Sequence, residues 1–291
     1  MYRKRLPRWL KKKIPDLKAI KDMEKMLRDH NLHTVCESAL CPNLGECFHR
    51  KTATFMILGN TCTRNCSFCV VKKGKPLPLD ENEPKNIAKV VNLLKLSHVV
   101  ITSVTRDDLE DGGANQFVDC IKEIKRIKPN PSIEVLIPDF SGNFNNLNMV
   151  LAYFPDVLNH NIETVSRLYP EIRPGADYNM SLRILEKAKK YSKSIIVKSG
   201  FMVGLGEKWD EILDLLKDLS NTGCDIVTIG QYLQPSKNHT PIYKFYNPDE
   251  FVDLKRIALN MGIKYIESGP FVRSSYKASD ALKYFKNSKF Q

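Results

Sequence analysis

The chain has 291 residues, 42% of them hydrophobic and 27% charged, which is enough apolar content to bury a core and too much for a disordered polymer. No run of about 18 apolar residues occurs, so no membrane span is expected. The net charge of +12, from 45 basic and 33 acidic residues, would suit an acidic protein partner; the basic residues are spread along helical stretches without an RNA- or DNA-binding signature, so no nucleic acid is expected.

The first 15 residues hold seven basic residues and no acidic one: Arg3, Lys4, Arg5, Arg8, Lys11, Lys12 and Lys13. Pro7 and Pro15 interrupt any amphipathic helix there, serine enrichment is missing, and no apolar signal core follows. A cytoplasmic protein is expected. Residues 18–30 read as one charged helix, and a cysteine-rich stretch follows. From Thr52 onward, short apolar runs alternate with amphipathic helical segments, the pattern of repeated βα units around a parallel sheet.

The apolar runs are Thr54–Leu58, His98–Ser103, Ile133–Ile137, Asp156–His160, Ser194–Val203 and Asp225–Ile229. Each is a continuous Val/Ile/Leu-rich stretch, as strands covered on both faces require. The helices between them show i, i+3, i+4, i+7 spacing, as in Ile87, Val90, Val91 and Leu94, or Ile212, Leu215, Leu216 and Leu219. A last helix (Phe251, Leu254, Ile257, Ala258) precedes a short run, Ile263–Ile266. Six βα units predict an α/β fold of the partial (β/α)6, TIM-like type spanning residues 52–262, with an N-terminal extension of residues 1–51 and a C-terminal extension of residues 263–291. In such barrels the chemistry sits in the loops after the strands.

Six of the eight cysteines fall between positions 36 and 69. Without a secretory signal, metal ligation is favoured over a disulfide framework. After the first strand comes Cys62-Thr-Arg-Asn-Cys66-Ser-Phe-Cys69, a C-x3-C-x2-C loop. Three thiolates from one loop can hold three irons of a cubane and leave the fourth open to a small molecule. Zinc is the alternative, but structural zinc sites mostly gather four ligands from two paired knuckles. Upstream, Cys36, Cys41 and Cys47 form C-x4-C-x5-C; alone, that spacing would also suit zinc or three buried thiols. Cys120, on an apolar helix face, and Cys224, before a strand, read as packing residues.

Together the two triples, with Cys41-Pro-Asn-Leu-Gly-Glu-Cys47, resemble the lipoyl synthase family of the radical S-adenosylmethionine superfamily. The likeness continues in Trp9-Leu-Lys-Lys-Lys-Ile-Pro15, Thr102-Ser-Val-Thr-Arg-Asp-Asp-Leu-Glu-Asp-Gly-Gly-Ala114, His160-Asn-Ile-Glu-Thr164, Arg173-Pro-Gly175, Gly230-Gln-Tyr-Leu-Gln-Pro-Ser236 and Ser268-Gly-Pro-Phe-Val-Arg-Ser-Ser-Tyr276.

The resemblance implies two 4Fe–4S clusters. Cys62, Cys66 and Cys69 would hold the one that cleaves S-adenosylmethionine. Cys36, Cys41 and Cys47 would hold an auxiliary one, completed by Ser274 or Ser275, with Ser275 favoured. It implies that Asn161 and Glu163 meet the cofactor's ribose and neighbouring polar atoms, and that Arg173 and Lys198 meet its carboxylate or the substrate. The segment from Gly200 through Gly204 to Glu207 would lie along the adenine, and Arg106, Asp107, Gly112 and Gly113 would meet the methionyl end.

The implied reaction inserts two sulfurs, at C6 and C8, into an octanoyl group on a carrier lysine, with the auxiliary cluster as sulfur source. The implied partners are lipoyl domains of 2-oxoacid dehydrogenases or the glycine-cleavage carrier protein, a flavodoxin or ferredoxin reductant, and an iron–sulfur carrier for cluster repair. Other radical enzymes with two clusters fit less well. A methylthiotransferase would need a further cysteine constellation and an RNA-binding appendage, and biotin synthase would place its second-cluster ligands inside the strands.

Overall fold

The computed structural model describes residues 5–12, 17–50, 52–127 and 129–288; Arg3, Lys4, Lys13 and Pro15 of the basic segment lie outside them. Each continuous apolar run forms a strand, because a side chain on either pleat face finds cover. The strands are β1 (His33–Thr34), β2 (Thr54–Ile57), β3 (His98–Ser103), β4 (Ser132–Leu136), β5 (Val157–Asn159), β6 (Ile196–Val203), β7 (Ile226–Gln231) and β8 (Tyr265–Gly269). They lie side by side in that order, β2 to β8 all parallel and β1 antiparallel to β2. Consecutive parallel neighbours linked by helices are what a partial TIM-like barrel requires.

Two strands of this sheet go beyond the six expected, and a separate two-stranded ribbon pairs Thr61–Cys62 with Lys72–Lys73. Tyr265–Gly269 lies past residue 262, yet it pairs in parallel with β7 over five residues; its run was short in sequence because only Ile263 and Ile266 are fully buried there. The two-residue strand His33–Thr34 is too short to show any alternation.

The helices bury the stripes that their spacing marks. Ile87, Val90 and Val91 of the Glu83–Leu94 helix, Phe117, Cys120, Ile121 and Ile124 of the Ala114–Lys125 helix, and Ile212, Leu215, Leu216 and Leu219 of the Trp209–Asn221 helix all fall inside. The last of these interstrand helices, Pro248–Asn260, begins with a capping box: Asn247 accepts from the Glu250 N–H while Glu250 accepts from the Asn247 N–H. Among the described residues no helix is long and apolar enough to cross a membrane.

The two ends of the chain are stitched together over one mouth of the sheet. Asn43, 1% exposed, donates from Nδ2 to the Phe271 carbonyl at 2.7 Å. Tyr276 donates to Glu46 at 3.3 Å, the Lys12 ammonium sits 4.8 Å from the Phe271 ring centre, and Trp9 donates to the Tyr246 carbonyl. The segment 270–276 in turn presses on β7 at Gly230, where an added Cβ would lie 2.1 Å from the Val272 carbonyl oxygen. Backbone cannot yield that much, so only glycine fits. Gly230→Ala is therefore expected to cost about 1–3 kcal/mol in a urea melt and to open residues 270–276 to limited proteolysis; an unchanged melt and digest would show that the segment packs elsewhere.

Candidate active site

At the C-terminal ends of the strands lies a cavity of ≈ 570 Å³. All six clustered cysteines line it: Cys36, Cys41 and Cys47 from the N-terminal segment, and Cys62, Cys66 and Cys69 from the loop after β2. The eight cysteines of the chain are free thiols, and Cys120 and Cys224 sit apart, buried in the core.

The loop carrying the second triple is held from several sides. Arg64, between Cys62 and Cys66, forks onto Asp107 (2.9 Å from both Nε and Nη2) and onto Asp139, 2.7 Å from Nη2. The Thr63 N–H donates to the Thr105 carbonyl, and the Ser67 N–H to that of Ile172. The Arg64 N–H and Thr105 N–H both point at Cys62 Sγ, each at 3.4 Å, donors that a cluster-bound sulfur accepts and that tune its potential. Of the upstream triple, Cys36 lies on the short helix Val35–Ser38, capped by Thr34, Cys47 on the helix Leu44–His49, and Cys41 in the turn between them.

Burial pushes the Cys36 and Cys69 thiols up to about 12 and raises those of Cys47 and Cys66 as well, Arg173 opposing the rise at Cys66. Any metal held by these sulfurs would therefore have to displace their protons as it binds. Among the described residues no three His, Cys, Asp or Glu side chains converge tightly enough for a single ion. A cubane spreads its cysteines over separate irons, so six free thiols and an alcohol around one cavity suit two clusters as a donor set.

Ser274 and Ser275 both line the cavity but differ in freedom. Ser274 Oγ accepts from Asn159 Nδ2 and donates to Asn161 Oδ1, both at 2.8 Å. Among the described residues the Ser275 hydroxyl makes no hydrogen bond. Asn161 and Glu163 also line the cavity, Asn161 donating to Glu163 at 2.9 Å. Glu163 has φ +65°, an uncommon region for a side-chain-bearing residue, held by its backbone pairing with Phe201. Burial raises its carboxyl, with Arg173 opposing. Arg173 donates to the Asn161 carbonyl and to the Tyr169 hydroxyl and leaves Nε unpartnered at the cavity. Gly200 lines the cavity too; a Cβ there would meet Thr228 Oγ1 at 2.4 Å and Asn161 Oδ1 at 3.1 Å.

Lys198, Gly204 and Glu207 are placed away from the cavity wall. Lys198, 1% exposed, donates to both oxygens of the equally buried Glu134, at 2.8 and 3.1 Å. Glu207 folds back to accept from the Gly204 and Leu205 N–H groups, shaping the loop after β6. Arg106 and Asp107 are likewise occupied, Arg106 by Asp108 and the Leu58 carbonyl, Asp107 by Arg64.

Three features went unread in the sequence. Arg64 had no signal, because its partners lie 43 and 75 residues away. His160 lines the cavity with Nε2 unpartnered, its ring held below the usual range, at about 4, by burial and the Arg173 charge. Arg273 lines it too, its guanidinium hydrogen-bonded, among the described residues, only to the adjacent Val272 carbonyl.

A continuous polar chain runs through the barrel: Lys198 donates to Glu134, Asn159 donates to Glu134 and Ser274, Ser274 donates to Asn161, and Asn161 donates to Glu163. Burial alone would raise the Glu134 carboxyl, but Lys198 and His98 hold it down to about 2. A depressed acid contributes its stability above its unfolded value and loses it only as pH falls through the folded one, so the pair acts fully at neutral pH. Lys198→Ala removes the ammonium from the buried Glu134 carboxylate and leaves it only Asn159 and His98. It should cost about 3–5 kcal/mol by denaturant titration at pH 7; a loss below 1 kcal/mol would show that the pair is not sealed from water.

The chain matches the Radical SAM superfamily over residues 56–219 and the N-terminal domain of lipoyl synthase over residues 1–41. A lipoyl synthase of Caldicellulosiruptor saccharolyticus is 52% identical over 283 residues, covering 97% of this chain and 99% of its own. That of Caldicellulosiruptor bescii is 53% identical, with 97% of both chains covered. Among solved structures, HydG, a maturase of the [FeFe]-hydrogenase, matches with a TM-score of 0.57 at 14% identity over 91% of this chain and 75% of its own. Methylornithine synthase matches with a TM-score of 0.51 at 18% identity over 72% and 69%. Those two show the shared fold; the near full-length sequence identity shows that the chain belongs to the lipoyl synthase family of radical S-adenosylmethionine enzymes.

Proposed function

We propose that this chain makes the lipoyl cofactor in place, inserting two sulfurs at C6 and C8 of an octanoyl chain carried on a protein lysine. The observation that carries the proposal is that two cysteine triples and the Ser274–Ser275 segment face a single cavity. The pairing of an open cluster with a second one is what sulfur insertion needs.

In this reading a 4Fe–4S cluster at Cys62, Cys66 and Cys69 supplies reductive cleavage of S-adenosylmethionine, and so the radical chemistry that breaks unactivated C–H bonds. The cluster held by Cys36, Cys41, Cys47 and Ser275 is a substrate, giving up its sulfurs. The unengaged Ser275 hydroxyl is free to ligate, whereas Ser274 is spoken for by two asparagines. A single alkoxide among thiolates is a weak, hard ligand that can leave.

The chain's own residues bind and orient. Asn161 and Glu163 offer polar atoms to the cofactor's hydroxyls, with Glu163 fixed by its strained backbone. Arg173 and Arg273, whose neighbouring carboxylate is Glu163, offset the negative charge of thiolates and of the cofactor carboxylate. Met56, Phe68, Val104, Leu136, Phe201 and Leu233 give the cavity an apolar wall for the acyl chain, from which water is excluded while radicals exist. The N-terminal segment 1–51 and the segment beyond 262 would serve chiefly to build the auxiliary site.

The carriers would be lipoyl domains of 2-oxoacid dehydrogenases or the glycine-cleavage carrier protein, and the +12 charge would speed encounter with acidic ones. A flavodoxin or ferredoxin would supply electrons, and an iron–sulfur carrier would restore the spent cluster. A reducing cytoplasm suits eight free cysteines.

Conversion of an octanoylated lipoyl domain, followed by mass after anaerobic purification, tests the reading. The wild-type chain should be brown, carry about eight irons and form lipoyl product. Cys62→Ala should abolish both 5′-deoxyadenosine and lipoyl formation. Cys36→Ala and Ser275→Ala should still release 5′-deoxyadenosine yet make no lipoyl group. A colourless zinc protein, or full lipoyl formation by Cys36→Ala, would overturn it.

A further inference from the structure

The thiols of the 62–69 loop face the cavity, while the carbonyls of its three cysteines meet a thin outer layer. Strand residues Lys72–Lys73 pair in parallel with Thr61–Cys62, both lysines exposed. All three cysteine carbonyls are bonded from this layer: Cys62 O accepts from the Gly74 N–H at 3.0 Å, Cys66 O from Lys73 Nζ at 3.1 Å, and Cys69 O lies 3.2 Å from His239 Nε2. The loop bearing His239 is itself tied to the cysteine loop, since the Thr240 N–H donates to the Ser67 carbonyl and the two hydroxyls lie 2.7 Å apart.

One residue layer therefore separates the cysteine backbone from solvent, and that layer is cationic. Lys72, Lys75 and Lys237 are exposed, and among the described residues none of the three has an ion-pair or hydrogen-bond partner. Residues 66–79 contain no Asp or Glu. Exposed Leu77 follows in the same segment, giving an apolar spot beside the charges. Unpaired lysine side chains with an exposed leucine in the same segment suit a brief, charge-steered encounter of the electron-transfer kind, not a tight complex.

Resting on the function proposed above, we propose that the ribbon 72–75 together with Lys237 is the docking face for a small acidic one-electron donor protein. The donor delivers its electron through the layer that bonds the cysteine carbonyls; the donor is oxidised by one electron and the cluster held by that loop is reduced by one.

The test is the triple charge reversal K72E/K75E/K237E, which spares Lys73, in the cluster-loaded enzyme. Reduced flavodoxin serves as the probe donor and dithionite as a small reductant. Stopped-flow reduction by flavodoxin should slow by about tenfold or more at low ionic strength, and the dependence of its rate on salt should flatten. Dithionite-driven 5′-deoxyadenosine formation should stay at the wild-type rate. An unchanged flavodoxin rate would overturn the proposal. So would an equal loss with dithionite, which would make the lysines supports of the loop, or a defect confined to the apparent KM for the octanoylated carrier, which would make this the carrier's face. Failure of wild-type enzyme to form lipoyl product with dithionite would instead strike the function itself.

Discussion

Glu134 is a carboxylate with no water to stabilise it, and the arrangement of the cavity follows from how that charge is met. Lys198 from β6 and Asn159 from β5 both donate to it, and Asn159 spends its second N–H on Ser274. A charge deep in the barrel therefore fixes the position of a hydroxyl near the far end of the chain. Ser274 then orients Asn161, and Asn161 orients Glu163. Asn159 Oδ1 stays unpartnered, but each donor of the chain finds its acceptor only if the next residue is in place, which ties the members to one geometry. Ser275, next to the anchored Ser274, is presented to the cavity by that same constraint.

The cavity combines two kinds of surface that rarely share a wall. Apolar side chains from several strand ends surround it, while two guanidinium groups and one carboxylate lie among them. A medium of low polarity makes each of those charges more influential than it would be in water. Arg173 and Arg273 thus set a positive potential where thiolates gather. The outer face of the same loop carries positive charge of another sort, solvated and unpaired, whose effect is on encounter rates and decays with salt.

Much of this was readable in the sequence because it is local. Two cysteine triples separated by few residues declare themselves by spacing, and covered parallel strands declare themselves as continuous apolar runs. What could not be read depends on distant pairing. Arg64 finds Asp139 75 residues on, and Asn43 finds Phe271 228 residues on; no periodicity records either. The family resemblance gave Lys198 a role toward the cofactor carboxylate or the substrate, yet its ammonium is engaged by Glu134 on β4. Glu207 behaved similarly, its carboxylate consumed by the backbone of its own turn. Charge in a strand or loop signals a need for a partner, and the sequence alone does not say whether that partner is a ligand or the protein itself.

The seam between Asn43 and Phe271 also imposes an order on biosynthesis. The N-terminal cysteines emerge from the ribosome first, and domains generally begin folding from that end during synthesis. The wall that faces those cysteines, however, is made of residues 272–276, which are translated long after them. The loop 62–74 can begin to settle against the ends of β3 and β4 while the chain is still growing, but the upstream triple waits for the stretch beyond residue 270. A ribosome stalled short of residue 270 would hold a nearly complete barrel whose second cysteine site has no far wall, so that wall forms only after residues 270–276 have joined the fold.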